Sequence, residues 1–454
     1  MKRYTFYGFY NYDKSFMFSY NRIDTEVIYV SLLDNNENLK YGVQKTLTSL
    51  LQIGVVPSQL GFDIIALAEL VYLADTRVSR DADSQDSWTR EFTLVVPVSK
   101  KPIWDQTKNQ LKRLLTFLTG DIWEVEFYKN ELNIDKLTSK TKKVDPKIEY
   151  DTVSLFSGGM DSLIFTINSL QAKKKPILIS HAGDGYTKNY QQEIIESLKN
   201  EYGDSEYSQI DLWMSFRKDM VKQSHSENTT RSRSFLFISL GLFAMSGLPK
   251  VSKLDVPENG LIALNVPLDE LRLGSQSTRT THPYYFKLWN EILNTLGLNK
   301  SIGNPYWNKT KGEMALECAN KELLLELVPK SISCSSPTKG RWKKLPPQHC
   351  GHCVPCIIRR AAIHHAFSVT NDETVYTILD LDSLKKMHTT DTGAQLRSFE
   401  FAIKKLGANP QIAEFLIHKA GPLDNNSEYL RELSEVYKRG LYEVRSFLNH
   451  YKED

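Results

Sequence analysis

The stretch that most constrains this chain is Asp151-Thr-Val-Ser-Leu-Phe-Ser157-Gly158-Gly159-Met160-Asp161-Ser162-Leu-Ile-Phe. Val153, Leu155 and Phe156 form a short apolar run of strand type. Gly158 and Gly159 let the backbone turn tightly and approach a ligand with no Cβ in the way. Leu163, Ile167 and Leu170 then recur at helical spacing, so a helix starts directly after the turn. Its unpaired N–H groups aim back at the turn and make an anion site. Ser157 and Ser162 add hydroxyl donors, and Asp161 is a candidate to hold Mg2+ or orient an amine. No G-x-x-x-x-G-K-[ST] occurs, so this is not a Walker A loop. A glycine turn without a ligand is the alternative.

Strands and helices alternate after this turn. A second apolar strand lies in Lys173–His181, and a helix covers 189–200. Gln209–Phe216 reads as a third strand, and Thr230–Met245 as an apolar helix opening with Arg231-Ser-Arg233. Gly260–Val266, between Pro257 and Pro267, reads as a fourth strand. The alternation predicts an α/β fold with a parallel, doubly wound sheet over 149–365. Ligands in such sheets bind beyond the carboxyl ends of the strands. Ser157–Ser162, His181, Asn265, Arg231 and Arg233 are expected near that edge. The arginines suit bidentate phosphate contact, or else a charged helix start on the surface. His181 suits nucleotide contact, or else ordinary strand-end packing.

Residues 1–145 read as an α+β accessory domain. Strands are predicted at Glu26–Leu33, Phe92–Val98 and around Trp123, Val125 and Phe127. Helices are predicted over Ser58–Asp75 and over Leu111–Leu118, the second stopped by Gly120. Arg77–Asp83 reads as a solvated charged loop, and the lysine-rich Lys136–Lys147 as a linker. From 366 to 454 the pattern is a helical extension. Leu396–Leu406 ends at Gly407, Pro410 opens a helix that stops near Gly421, and Ser427 caps a final helix. Leu430, Leu433, Tyr437, Leu441, Val444 and Leu448 give that helix one apolar face. The face is expected to pack on the body, with dimerisation or partner docking as alternatives.

Composition narrows the class. The chain has 454 residues, 41% hydrophobic and 24% charged, as for a globular protein of two or three domains. A net charge of +3 and only a small basic patch at Lys339–Lys344 do not indicate nucleic acid. The opening residues are not of signal-peptide type, and the apolar run Phe235–Met245 is too short to span a bilayer. A cytoplasmic protein without a membrane role is expected.

Four of the five cysteines fall in one late region. Cys334 is followed by Cys350-Gly-His-Cys353-Val-Pro-Cys356-Ile-Ile-Arg359. Four thiolates suit a tetrahedral structural zinc, with an iron–sulfur cluster as the alternative. Two-residue gaps turn successive sulfurs onto one ion, and Gly351 eases the turn. His349 and His352 are spare ligands for which a complete four-cysteine set leaves no place. Cys318, in EMALECANKELLLELV, reads as a small core residue on an amphipathic helix.

S-G-G-x-D-S resembles the pyrophosphate loop of the PP-loop ATPases. Together with C-G-x-C-x-x-C-x-x-R it resembles QueC, the 7-cyano-7-deazaguanine synthase family, over residues 150–365. Lys311-Gly-Glu313 resembles the K-x-E ahead of the cysteines in that family. Leu163 stands where the family usually has threonine. The family's tyrosine- and aspartate-rich substrate loop is replaced by Asp269-Glu-Leu-Arg-Leu-Gly-Ser-Gln-Ser-Thr-Arg-Thr-Thr-His282. The long layout is similar to the QueC-like proteins of anti-phage operons, QatC of the Qat systems among them.

The resemblance implies an adenylating ligase that uses ATP, Mg2+ and a structural Zn2+. Ser157, Gly158, Gly159, Met160, Asp161, Ser162, His181 and Arg231 would hold the nucleotide. Asp161, Arg233 and Lys311 would serve catalysis, and Cys334, Cys350, Cys353 and Cys356 the zinc. The substrate would be a 7-deazaguanine carboxylate, passed as acyl-adenylate to an amine, such as the N-terminus of a partner protein from the same defence operon. Alternatives are a 7-cyano-7-deazaguanine (preQ0) synthase using ammonia, a non-catalytic ATP-sensing subunit, and an RNA thiolase. The thiolase would want a thiol near the loop, and neither the loop nor its helix carries one. A homodimer fits the family's habit.

Overall fold

Two runs of strand-forming segments make two separate sheets, and both are all-parallel. The structure, a computed structural model, describes residues 3–11, 25–84, 86–130, 132–139, 148–181, 184–222, 225, 227, 229, 231–269, 279–368, 371–381 and 391–450. The first sheet has strands β1 (Arg3–Phe9), β2 (Thr25–Ser31), β3 (Glu91–Val98) and β4 (Ile122–Lys129) in the order β2-β1-β3-β4. Every pairing in it is parallel, so the first region is α/β and not α+β. Helices α1 (Val43–Gln52), α2 (Gln59–Arg77) and α3 (Lys108–Thr119) accompany it. Ser58 caps α2 by accepting from the Gly61 N–H at 3.3 Å. Gly120, at φ 79°, closes α3.

The second sheet runs β7-β6-β5-β8-β9, with β5 (Thr152–Leu155), β6 (Pro176–His181), β7 (Ser208–Leu212), β8 (Lys253–Asp255) and β9 (Ser301–Gly303). Helices α4 (Met160–Gln171), α5 (Gly185–Tyr202) and α6 (Arg233–Met245) belong to this half. Strand order reverses between β5 and β8, which puts the switch point directly beyond Leu155. Helix α2 lies against α6, with Phe62 and Phe243 edge to face at 5.0 Å. Its residues Gly61–Thr76 are buried all round, as a helix packed on more than one side must be. One apolar core therefore runs through both halves.

The structure departs from several expectations. Gly260–Val266 is not a strand: Gly260–Leu264 is helix α7, and Lys253–Asp255 takes the fourth-strand place. Asn259 decides this locally, because its side chain accepts the Ile262 N–H at 3.1 Å and starts a helix. Asn265, at φ 49°, ends that helix and does not end a strand. The third strand stops at Leu212, and α6 starts at Arg233, with Thr230 outside the described residues.

Arg77–Asp83 is not a solvated loop. Arg80 is buried and bonds both oxygens of Asp121 at 2.9 Å. Arg90 reaches Asp121 at 2.7 Å and Asp75 at 2.6 Å. Burial works against the Asp75 charge, but Arg90 and the Ser232 N–H hold its carboxyl below the usual range. The expected linker Lys136–Lys147 begins inside a short helix, Ile134–Thr138, and 140–147 lies outside the described residues.

The later elements are α8 (Pro283–Thr295), α9 (Lys311–Leu316), α10 (Lys321–Leu327), α11 (Val354–Phe367), α12 (Asp391–Ala408) and α13 (Ser427–His450). EMALECANKELLLELV is two helices, and buried Cys318 sits in the break between them. Helix α12 runs past Gly407, and Pro410 opens only a 3-10 turn before a short helix, Ala413–Leu416. Asn426, not Ser427, caps α13, accepting the Tyr429 N–H at 3.0 Å. The apolar face of α13 packs on α7, α11 and α12 in a second core. No helix among the described residues is long and apolar enough to cross a membrane.

Candidate active site and metal centre

Strand β5 ends in the loop Phe156–Gly159, and the loop runs straight into α4. Gly158 holds φ 80°, and a Cβ there would stand 2.9 Å from the Gln191 side chain, so both backbone and space call for glycine. Gln191 on α5 donates to the carbonyls of Ser157 at 3.1 Å and Phe156 at 3.4 Å, which fixes the entry to the turn. Ser157 and Ser162 stand with their hydroxyls 3.3 Å apart, and Ser157 Oγ accepts the Gly159 N–H at 3.2 Å. The Met160 N–H donates to Ser333 Oγ at 3.4 Å.

A cavity of about 490 Å³ opens at the switch point. Ser157 of the loop, Asp184 at the N-cap of α5, Tyr186 of α5, Arg233 and Ser234 of α6, and Glu258 after β8 line it. Ser333 and Cys334 close one side, and Thr280 and Thr281 another. Ser157 and Arg233 thus line the same cavity.

Asp161 and Lys311 sit in the layer behind the loop and do not line the cavity. Lys311 Nζ is 2.6 Å from Asp161 Oδ1, and both residues are buried. Asn259 fills the other oxygen, donating to Asp161 Oδ2 from its backbone at 3.0 Å and its amide at 2.8 Å. Burial would raise the Asp161 carboxyl, but Lys311, Glu258 and Asn259 outweigh it and hold it well below the usual range. The same Asn259 amide donates to Glu258 Oε1 at 2.8 Å. Burial first, then the Asp161 charge, pushes the Glu258 carboxyl well above its ordinary value. The two carboxyls therefore split into a charged anchor behind the loop and a proton-holding group on the cavity wall.

The remaining candidates separate. His181 ends β6 fully buried, packed on Tyr72 and Phe237, with no hydrogen-bond partner for either ring nitrogen among the described residues. Burial and the nearby Arg233 lower it to about 3, so it is a neutral ring in the layer below the site. Only its backbone carbonyl touches the site, accepting from Arg233 at 3.3 Å. Arg231 is drawn towards the first region, its guanidinium 4.5 Å above the Trp88 ring and outside the cavity lining. The Ser232 N–H bonds Asp75 Oδ2 at 2.7 Å, which explains the pull. Asn265 lies at the end of α7, also outside that lining. Sequence reasoning misses Glu258, Asn259 and Asp184. Asn259-Gly260 ahead of an apolar run is a helix-start signal that could find one of them.

The four cysteines meet. Their sulfurs all lie within 4.8 Å of one another, with Cys334 to Cys353 at 3.8 Å and Cys350 to Cys356 at 4.0 Å. A tetrahedral ion with bonds of about 2.3 Å sets its sulfurs about 3.8 Å apart, so the cluster fits one zinc. A disulfide needs about 2.05 Å, and all five cysteines are free. Backbone N–H groups of Ser336 and Cys350 point at Cys334 Sγ at 3.4 and 3.3 Å, and that of Cys353 at Cys350 Sγ at 3.3 Å, a shell suited to thiolates. Gly351, at φ 88°, admits the Ile378 carbonyl where a Cβ would stand at 2.1 Å. His349 bonds the Ser331 carbonyl at 3.0 Å, and His352 lies outside the cluster.

This segment reaches the glycine loop. Buried Arg359 holds Ser331 Oγ at 2.8 Å and the Val328 carbonyl. The Ile332 N–H then donates to the Gly158 carbonyl at 2.9 Å. Cys334 thus anchors a strip that is at once a candidate metal ligand, a cavity wall and a brace for the loop. No family model and no curated protein matches the chain.

Proposed function

We propose that this protein is an ATP-dependent adenylating enzyme of PP-loop, QueC-like type. The observation that carries it is the cavity at the switch point, walled by Ser157 of the glycine loop, Arg233 and the cysteine-bearing strip. Loop N–H groups and hydroxyls with a guanidinium suit the polyphosphate of a nucleotide. The substrate is a 7-deazaguanine carboxylate and the acceptor an amine, as the motif resemblance implies, in a role in anti-phage defence.

In this reading a carboxylate oxygen attacks the α-phosphorus of ATP. The bond to the β-phosphate oxygen breaks, and pyrophosphate leaves with the electron pair. The amine nitrogen then attacks the acyl carbon, AMP departs, and the nitrogen gives up a proton. Arg233 and the loop N–H groups offset charge developing on the phosphates. Asp161 is engaged by Lys311 and Asn259, so it braces α4 and does not face the nucleotide. A magnesium ion would neutralise phosphate charge, and Glu258, once deprotonated, is the carboxylate on the wall to help hold it. Cys334, Cys350, Cys353 and Cys356 would hold a zinc ion, whose complete thiolate set would leave it a structural role in holding the wall.

The test is mass spectrometry of the purified protein with ATP, Mg2+ and 7-carboxy-7-deazaguanine, with ammonia or with neighbouring gene products. AMP plus a nitrile or amide identifies a small-molecule synthase. A deazaguanine-sized mass on a protein identifies a conjugating enzyme. Absence of AMP in every mixture overturns the proposal.

A further inference from the structure

We propose that Glu443, on the C-terminal helix α13, is a positioning residue for the Lys311–Asp161 pair, which makes the last helix part of the site. The catalytic consequence rests on the adenylation reading; the positioning does not. Lys311 is the first residue of α9, and the backbone there decides where its ammonium goes. Thr310 caps α9 and forms a reciprocal capping box with Glu313. The Glu443 carboxylate enters this end from α13. It accepts from the Thr310 hydroxyl, and its other oxygen accepts the Gly312 N–H at 3.2 Å. Burial pushes the Glu443 carboxyl up to about 7, and the Thr310 hydroxyl and Gly312 N–H work against that rise, so the clamp rests on these two hydrogen bonds. One turn earlier on α13, Arg439 pairs with Glu313 at 2.6 Å and donates to the Asn308 carbonyl at 2.7 Å.

Lys311-Gly312-Glu313 thereby acquires a meaning for each position. Lys311 turns inward to Asp161, Glu313 closes the box and takes Arg439, and Gly312 leaves room for Glu443. A Cβ on Gly312 would stand 2.6 Å from a Glu443 oxygen. Glu443 is itself buried, and so are Thr310 and Lys311, so no water replaces the clamp. The extension is tied to the first turn of the helix that bears Lys311, and through Lys311 to the first turn of α4.

The test is amine acylation of the full chain by a water-soluble N-hydroxysuccinimide ester, read at Lys311 by peptide mass spectrometry. Pyrophosphate release is measured alongside. Lys311, 3% exposed, is expected to be protected in the wild type. Glu443→Ala and, independently, Gly312→Ala should raise Lys311 labelling at least tenfold. Glu443→Gln, which keeps the shape and one acceptor, should stay within threefold of the wild type. With an active wild type, Glu443→Ala should lower kcat about tenfold with the KM for ATP within threefold. A role confined to stability would lower Tm and leave kcat in place. Lys311 equally protected in both alanine variants overturns the proposal, as does an active enzyme whose kcat ignores Glu443→Ala. A wild type that releases no pyrophosphate counts against the adenylation reading alone, because labelling still decides the positioning.

Discussion

Lys311→Met should destabilise the protein strongly, and in a pH-dependent way. The ammonium and the Asp161 carboxylate are 2.6 Å apart, with side chains only 4% and 7% exposed. Removing one partner of a buried pair leaves an uncompensated charge and costs ~3–5 kcal/mol. Asn259 still donates twice to Asp161, which places the expected loss at the lower end of that range. In the wild type the Asp161 carboxyl is depressed, so its contribution is present above the unfolded value of about 3.9 and lost as pH falls through the folded one. Without Lys311, burial dominates and the carboxyl is raised. Its contribution then holds at low pH and is lost as pH rises through the folded value. The penalty of Lys311→Met should therefore be smaller at pH 5 than at pH 8. Adding Asp161→Asn removes the stranded charge and should recover ~2 kcal/mol or more. Urea unfolding followed by tryptophan fluorescence, run as a double-mutant cycle at both pH values, measures this. Additive losses, or a penalty that does not change with pH, would refute the reasoning.

Other outcomes follow from the same contacts. Cys353→Ser should cut zinc content from about one ion per chain to near none by plasma mass spectrometry, and lower ATP affinity, because Cys334 lines the cavity. Arg233→Met should weaken ATP binding by calorimetry about 10- to 100-fold, the worth of one charge-assisted contact, with Tm little changed. Asp121→Asn should cost ~3–5 kcal/mol in urea unfolding, since two buried arginines lose their shared carboxylate. Gly158→Ala should cost about 1–2 kcal/mol through its φ of 80° alone and lower nucleotide affinity with it.

Local signals carry much of the fold. Glycine loop, strand β5 and helix α4 are legible because an apolar run, a glycine pair and a helical period follow one another without interruption. Ser58 and Gly120 bound their helices for the same local reasons. Strand β1 is not legible: Arg3–Phe9 is almost wholly buried, so its aromatic residues show no clean alternation. Gly260–Leu264 reads as strand because a short apolar run has no period, and only the Asn259 cap separates the two states. Arg80, Arg90, Asp75 and Asp121 look like surface charges because their pairing joins positions far apart in sequence. In the site, residue types are legible and depth is not. Sequence places Asp161 and Lys311 as chemical groups, but only packing shows that they pair behind the loop while Glu258 faces the cavity.

The cysteine cluster, the C-terminal helix and the glycine loop are mechanically one unit. An anion site made of backbone N–H groups has its geometry set by whatever fixes the backbone, because the donors have no side chain to adjust. Here three supports converge on a few residues. Gln191 holds the carbonyls of Phe156 and Ser157, and the strip ahead of Cys334 holds the Gly158 carbonyl. Asp161 is held through Lys311 by the helix that Glu443 and Arg439 clamp. Loss of a metal from the cysteine cluster would release the second support and loss of α13 the third, although neither the cysteine cluster nor α13 belongs to the glycine loop. A preorganised site loses most when its supports move by an ångström, because aligned donors then cost reorganisation at the moment of reaction. Three distant segments should therefore fail in the same manner, by lowering turnover before they unfold the chain.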